Sequence, residues 1–330
     1  MSSAPSPEIP LDAGAGPKHN PHVSVVVPIY NEADGLLDLH ARLSDVMEGS
    51  GLSYEIVYIN DGSSDNSGKL LRGIHAESPH VKFLDLLRNS GQVAALSAGF
   101  AHIAGDIIVT MDGDGQMEPE DIPLLVREIE EGSDVVSGWR TSRRDSWFGR
   151  ALPSMFANYM IRKLSGVPMH DYGCSLKAYR RELVDALKFD EYRAFNQAVL
   201  ISLAGKWAEI PVRHYPRPHG KSKWNLFKLF QFNLDNLVSL SVYSFQWMAI
   251  AGAVLALIGL LLAPAFFFLA HKRSLIGLAA SLNLALSLVG VSTLGILVAL
   301  SGEFVVRIYH MVDKRPKWIL REILEPRSGL

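Results

Sequence analysis

From residue 22 to residue 137 the apolar positions switch repeatedly between two periods. His22–Val27 is a β-branched apolar run closed by Pro28 and reads as a buried strand. Asp34–Glu48 sets Leu36, Leu39, Leu43 and Val46 on one side of a helix. The alternation continues with strands over Tyr54–Ile59, Val81–Leu87, Asp106–Met111 and Asp134–Ser137, and helices over Asp65–Glu77, Gln92–Ile103 and Glu120–Glu131. Strands alternating with helices predict an α/β fold with a mostly parallel central sheet covered on both faces. Ligands gather at the carboxyl ends of such strands. The clusters Tyr30-Asn31-Glu32, Asp61-Gly62-Ser63, Arg88-Asn89 and Asp112 to Gln116 should therefore converge on one edge. Gly138–Lys177 is less regular; beyond it Arg180–Leu187 and Phe195–Gly205 read as helices and Trp207–Arg213 as an edge strand.

The pattern then changes. Trp224–Val242 carries Leu226, Phe227, Phe230, Leu234 and Leu237 on one side, interleaved with Lys228, Gln231 and Asp235. This suits a helix lying on a membrane surface, and equally an amphipathic helix packed on the domain. Met248–Ala270 and Leu275–Ser301 follow without a formal charge, each longer than the roughly 20 residues that span the hydrocarbon core. Buried core helices are the alternative, but such helices seldom stay apolar all round for so long. Only His271–Ser274 separates the runs, so they form a hairpin whose flanks face one side. Lys221, Lys223 and Lys228 before it, and Arg307, Lys314, Arg315, Lys317 and Arg321 after it, outweigh Lys272 and Arg273 in the turn. That balance places the flanks in the cytoplasm. The expected organisation is a disordered tail over 1–20, a catalytic domain over 21–223, an interface helix over 224–244, two transmembrane helices over 245–303 and a cytoplasmic tail over 304–330.

Composition adds little to this. The formal net charge is −2, which gives no global pointer to nucleic acid, and the single cysteine, Cys174, excludes an intrachain disulfide. Local chemistry is more informative. Asp112 and Asp114 sit one residue apart in a Gly-rich loop after a strand, with Gln116 two residues on. Hard oxygen donors in this spacing suit Mg²⁺ or Mn²⁺ shared with substrate phosphates, although Asp-Gly pairs also make ordinary turns. No dinucleotide-type glycine fingerprint and no Walker lysine loop is present, so phosphate charge must be met by metal and side chains. Arg140, Arg143, Arg144 and Arg150 follow the last strand of the alternating series. Guanidinium forks fit phosphate oxygens; a solvated basic face is the alternative. Arg213, Arg217, Lys221 and Lys223 crowd the approach to the apolar runs, a collar for anionic lipid or for one phosphate headgroup.

In their order, Val27-Pro28-Ile29-Tyr30-Asn31-Glu32, Asn60-Asp61-Gly62-Ser63 and Asp112-Gly113-Asp114-Gly115-Gln116 resemble the family-2 inverting glycosyltransferases. Arg88-Asn89-Ser90-Gly91, Asp171-Tyr172-Gly173-Cys174, Gly220-Lys221-Ser222-Lys223-Trp224 and Gly302-Glu303-Phe304 through Arg307-Ile308-Tyr309 narrow the likeness to the polyprenyl-phosphate glycosyltransferases, over about Val23 to Pro316. The resemblance implies a glycosyltransferase A-type nucleotide-sugar fold and transfer of a sugar, with inversion, onto a polyprenyl phosphate. It implies that Pro28, Tyr30, Glu32 and Asp61 hold the nucleoside, and that Asp112, Asp114 and Gln116 hold Mg²⁺ or Mn²⁺ on the donor diphosphate. Arg140, Arg150 and Ser154 would grip the lipid phosphate, and Arg217, Ser222 and Lys223 would close over both substrates. Homo-oligomers are common among such proteins. Asn60 departs from the pattern, since many relatives carry aspartate there. A processive polysaccharide synthase would share the aspartates, but its Gln-X-X-Arg-Trp motif is absent from the chain. A non-catalytic membrane scaffold of the same fold is the rival from another class.

Overall fold

The computed structural model describes residues 21–140, 167–187, 195–215 and 316–327, together with single positions between 283 and 308. Its centre is an eight-stranded sheet in the order β7-β5-β6-β4-β1-β2-β3-β8. The strands are β1 (Val23–Ile29), β2 (Tyr54–Asn60), β3 (Val81–Leu86), β4 (Ile107–Thr110), β5 (Val135–Arg140), β6 (Lys177–Arg180), β7 (Trp207–Val212) and β8 (Leu320–Leu324). β1 pairs in parallel with β2 and β4, β2 with β3, and β5 with β7; β6 and β8 run antiparallel to their neighbours. The sheet is thus mostly parallel, as the periodicity predicts.

Two apolar layers cover it, because alternate residues of a strand point to opposite faces. Val23, Val25, Val27 and Ile29 of β1 pack with Leu36, Leu39, Leu43 and Met47 of α1 (Ala33–Gly49), and with α2 (Ser67–Glu77) and α4 (Ile122–Glu130). Val26 faces the other way, into a cluster with Ala95, Ala98 and Phe100 of α3 (Gln92–Ala101). Val184 of α5 (Arg181–Asp185) and Leu200 and Ile201 of α6 (Gln197–Leu203) belong to that second cluster.

Two strands were not expected. β6 fills a gap between β4 and β5, and β8 comes from the segment read as a C-terminal tail. Residues 1–20, the interface helix over 224–244 and the run Met248–Ala270 lie outside the described residues. In the second apolar run and just after it, the described positions from Asn283 to Ile308 are helical, and Thr293 Oγ1 donates to the Val289 carbonyl one turn back at 2.8 Å. Val298 and Val305 there are each 64% exposed. Among the described residues no helix is long and apolar enough to cross a membrane.

Candidate active site

Chain order reverses at β1, which sends β2 to one side and is met by β4 on the other. In open α/β sheets the crevice at such a switch point receives ligands. The carboxyl ends of β1, β2, β3, β4, β5 and β7 all reach this edge, and antiparallel β6 begins there, since Lys177 is in register with both Thr110 and Ser137.

On one side of the crevice the loops after β1 and β2 are interlocked. Asn31 adopts a left-handed backbone (φ 54°), a conformation asparagine tolerates better than most residues. Its amide N–H donates to Ser63 Oγ at 3.0 Å, and its side-chain oxygen accepts the Ser64 N–H at 2.7 Å. The Glu32 N–H donates to Ser67 Oγ at 3.0 Å. Tyr30, Asn31 and Glu32 are half-buried here. Gly62 has φ +61°, and a Cβ on it would lie 2.4 Å from the Arg88–Asn89 backbone; only glycine fits this close approach.

Asp61 is buried, and its carboxylate accepts the Ser90 N–H at 2.6 Å, the Gly91 N–H at 2.9 Å and Asn89 Nδ2 at 3.1 Å. Burial pushes its pKa up, against the pull of the two backbone donors. The expectation was a base contact made by Asp61. The structure shows this carboxylate holding the turn before α3.

Across the crevice stands the Asp112–Gln116 loop. A Cβ on Gly113 would lie 2.2 Å from Ile29 Cδ1 and 3.1 Å from the Pro28 carbonyl oxygen, so this glycine lets the loop seat directly on the end of β1. Asp112 Oδ1 accepts a hydrogen bond from Gln92 Nε2 at 2.6 Å, and Asp114 Oδ1 accepts the Gln116 N–H at 3.1 Å. Gln116 also donates through Nε2 to the Tyr215 carbonyl at 3.2 Å, joining the loop to the segment after β7. Burial, then the neighbouring Asp114 charge, raise the Asp112 pKa to about 6, against the Ser175 hydroxyl, Arg140 and Lys177. Two carboxylates crowded in this way fit a divalent cation, which relieves the repulsion that raises the pKa. Among the described residues no three His, Cys, Asp or Glu side chains form a metal cage. Two carboxylates completed by substrate phosphate oxygens and water are the usual arrangement for Mg²⁺.

Arg140 was expected just past its strand with its fork open to a phosphate. It is the last residue of β5, and its Nε and Nη2 bind Asp171 Oδ2 and Oδ1 at 2.7 and 2.8 Å. Both side chains are largely buried, at 13% and 7% exposure. The Glu209 carboxylate holds Asp171 in turn, accepting the His170 N–H at 2.7 Å and the Asp171 N–H at 3.2 Å. Behind them lies Lys177, fully buried, whose Nζ donates to the Tyr172 and Cys174 carbonyls. Burial lowers its pKa. Sequence reasoning did not assign Gln92, Asp171, Lys177 or Glu209 to this site. Of these, Asp171 carries a signal, as the first residue of Asp171-Tyr172-Gly173-Cys174. Arg150, Ser154, Arg217, Ser222 and Lys223 lie outside the described residues.

A family model described as glycosyl transferase family 2 matches residues 24–188. Among solved structures, glucosyl-3-phosphoglycerate synthase from Mycobacterium tuberculosis in complex with Mn²⁺, uridine-diphosphate-glucose and phosphoglyceric acid is 19% identical over 66% of this chain and 79% of that one, with a TM-score of 0.48. A mycobacterial protein is 20% identical over 66% and 74%, with a TM-score of 0.45. S. aureus TarS 1–349 is 19% identical over 58% and 59%, with a TM-score of 0.41.

Proposed function

The chain belongs to glycosyl transferase family 2, whose model spans half of it, and from that premise we propose that it moves a sugar from a nucleotide-sugar donor, a UDP-sugar, onto the phosphate of a membrane polyprenyl phosphate, with inversion. The observation that carries this reading is the carboxylate pair Asp112 and Asp114 at the switch point, with Arg140 at the carboxyl end of β5 on the same edge of the sheet.

An acceptor phosphate is anionic at neutral pH, so no strong general base is required to create the nucleophile. The task is to bring two anions into line and stabilise the leaving diphosphate. The interlocked loops at Asn31 and Ser63 shape the nucleoside end of the crevice, and Asp112 and Asp114 mark the diphosphate end. Mg²⁺ or Mn²⁺ held by that pair would supply electrostatic stabilisation of the departing diphosphate. Arg140, preset by Asp171, is the group this reading assigns to the acceptor phosphate. Direct displacement turns an α-linked donor into a β-linked lipid phosphate sugar.

Support for a lipid acceptor comes from the two uncharged runs, Met248–Ala270 and Leu275–Ser301. The chain is on the sheet edge at β7 and back on the sheet at β8. Any membrane crossings between them are therefore even in number. Reporter fusions at Ser274 and at the C-terminus should report opposite sides; the same side for both would remove the hairpin from this reading. Arg321, one of the basic residues that favour a cytoplasmic flank, is engaged with Asp85, so the charge asymmetry rests on the others.

The direct test presents purified full-length protein, with Mn²⁺, to a panel of nucleotide sugars and polyprenyl phosphate. We expect one sugar to enter the lipid phase as a β-linked phosphodiester. Transfer to a soluble acceptor instead, with none to lipid, would refute the acceptor assignment and leave the family intact.

A further inference from the structure

β8 enters the sheet from the far side of the apolar runs and pairs antiparallel with β3, Asp85 opposite Glu322 and Leu86 opposite Leu320. Trp318 leads it in, buried to 7% exposure and edge-on to His102. Its polar side chains do more than close an edge. Two separate paths run from β8 to the loops of the nucleoside half-site.

The first path goes through Leu87. The Leu87 N–H donates to the Ile319 carbonyl at 2.8 Å, and the Leu87 carbonyl accepts Arg321 Nη2 at 3.0 Å, so β8 grips both polar groups of this residue. The next four residues, Arg88 to Gly91, hold the Asp61 carboxylate and abut Gly62. The second path goes through Asp85, which is 1% exposed. Its carboxylate takes Arg321 Nη1 at 3.3 Å, Arg72 Nη2 at 2.8 Å and Asn60 Nδ2 at 2.7 Å. Asn60 Oδ1 accepts the Ser63 N–H at 3.1 Å, and Ser63 Oγ accepts the Asn31 N–H at 3.0 Å. Asn60 must donate to a carboxylate and accept from an amide at once. An ionised aspartate in its place could not donate and would face Asp85 as a like charge. Asn60 and Arg321 thus meet at one carboxylate, Asp85.

We propose that Arg321 is a positioning residue for donor binding, acting through Leu87 and Asp85 to set the loops Asp61–Ser63 and Arg88–Gly91. The inference rests on the reading of those loops as the nucleoside site. It makes the strand that follows the apolar segment a determinant of nucleotide affinity, with no contact between β8 and the nucleotide.

The test uses the full-length protein, with UDP and Mn²⁺ as the probe in calorimetry and amide hydrogen exchange read in parallel. Arg321 is 53% exposed at its side chain, so Arg321→Ala should fold. It should bind UDP about tenfold more weakly, about 1.4 kcal/mol, because binding must then order loops that Arg321 no longer holds. Exchange should quicken at Ser63, Ser90 and Gly91, while the Michaelis constant for lipid acceptor stays put. Arg321→Lys keeps one charge but cannot serve Asp85 and Leu87 together as a planar fork, and should fall between. Glu325→Gln loosens β8 only at Lys82 and should leave UDP affinity unchanged. Lower thermal stability in Arg321→Ala, with wild-type UDP affinity and wild-type exchange at the three amides, would overturn the proposal. Should the wild-type protein bind no UDP, the donor reading fails by itself. The exchange comparison then decides whether β8 braces these loops, and Arg321→Lys supplies that comparison if the alanine variant does not fold.

Discussion

Asp114→Asn is expected to lower turnover by at least about 100- to 1,000-fold, the scale of a lost metal-centred charge stabilisation. The substitution keeps size and shape, and the oxygen of the introduced carboxamide can still accept the Gln116 N–H that Asp114 holds at 3.1 Å. The fold should therefore survive. The same variant should change the response to Mn²⁺. In the metal-free protein burial, followed by the Asp114 charge, raises Asp112 from 3.8 to about 6. A carboxyl whose folded pKa lies above its unfolded value holds its proton more tightly when folded. Its contribution to stability therefore falls as pH rises from about 4 through 6. Mn²⁺ competes with that proton. It should raise the Tm of the wild-type protein strongly at pH 7.5 and progressively less below pH 6. In Asp114→Asn the metal-induced shift should largely vanish. Near-normal activity with Mg²⁺ or Mn²⁺ in Asp114→Asn, or an undiminished Mn²⁺ shift, would remove this loop from the metal site.

Arg140 carries the second large effect, and its geometry changes which variant is informative. Removing the guanidinium strands the Asp171 carboxylate, which is only 7% exposed. Breaking a buried pair from one side costs about 3–5 kcal/mol, so Arg140→Ala should lose stability as well as function. Arg140→Lys keeps a charge beside Asp171 while giving up the planar fork. With it we expect the Michaelis constant for polyprenyl phosphate to rise about 10- to 150-fold, the span of one charge-assisted contact. Donor affinity should stay within about twofold. Collapse of donor binding with an unchanged acceptor constant would move Arg140 to the diphosphate site.

Among the strands that sequence analysis found, the central ones have burial that is local and apolar, while the edge strand β7 is mostly half-buried. β1, β2 and β3 are buried along nearly their whole length, so their runs of Val, Ile, Leu and Tyr announce them. β6 is four residues, Lys-Ala-Tyr-Arg, and one of its fully buried positions is a lysine. Nothing local marks it, because Lys177 is satisfied by carbonyls of Tyr172 and Cys174 that only the folded loop brings near. β8 alternates between half-buried and exposed positions, and its sequence, Leu-Arg-Glu-Ile-Leu, does not alternate in polarity. Its stability comes from partners more than two hundred residues away, Arg72, Asp85 and Leu87.

The site divides in the same way. Asp112, Asp114, Arg140 and Asp61 could be singled out from sequence because a parallel sheet delivers every strand's carboxyl end to one edge, whatever the loops then do. What each side chain does there was decided by packing across the chain. Asp61 is drawn inward because Ser90, Gly91 and Asn89 converge on it. Arg140 meets Asp171 because antiparallel β6 brings the 171–176 loop back beside the end of β5. Local periodicity and strand direction are enough to set the α/β alternation, the edge on which the chemistry gathers and the two long uncharged runs. Which charges neutralise one another and where the C-terminal segment returns emerge from the folded chain alone, because ion pairs and edge pairing depend on distances that no local pattern encodes.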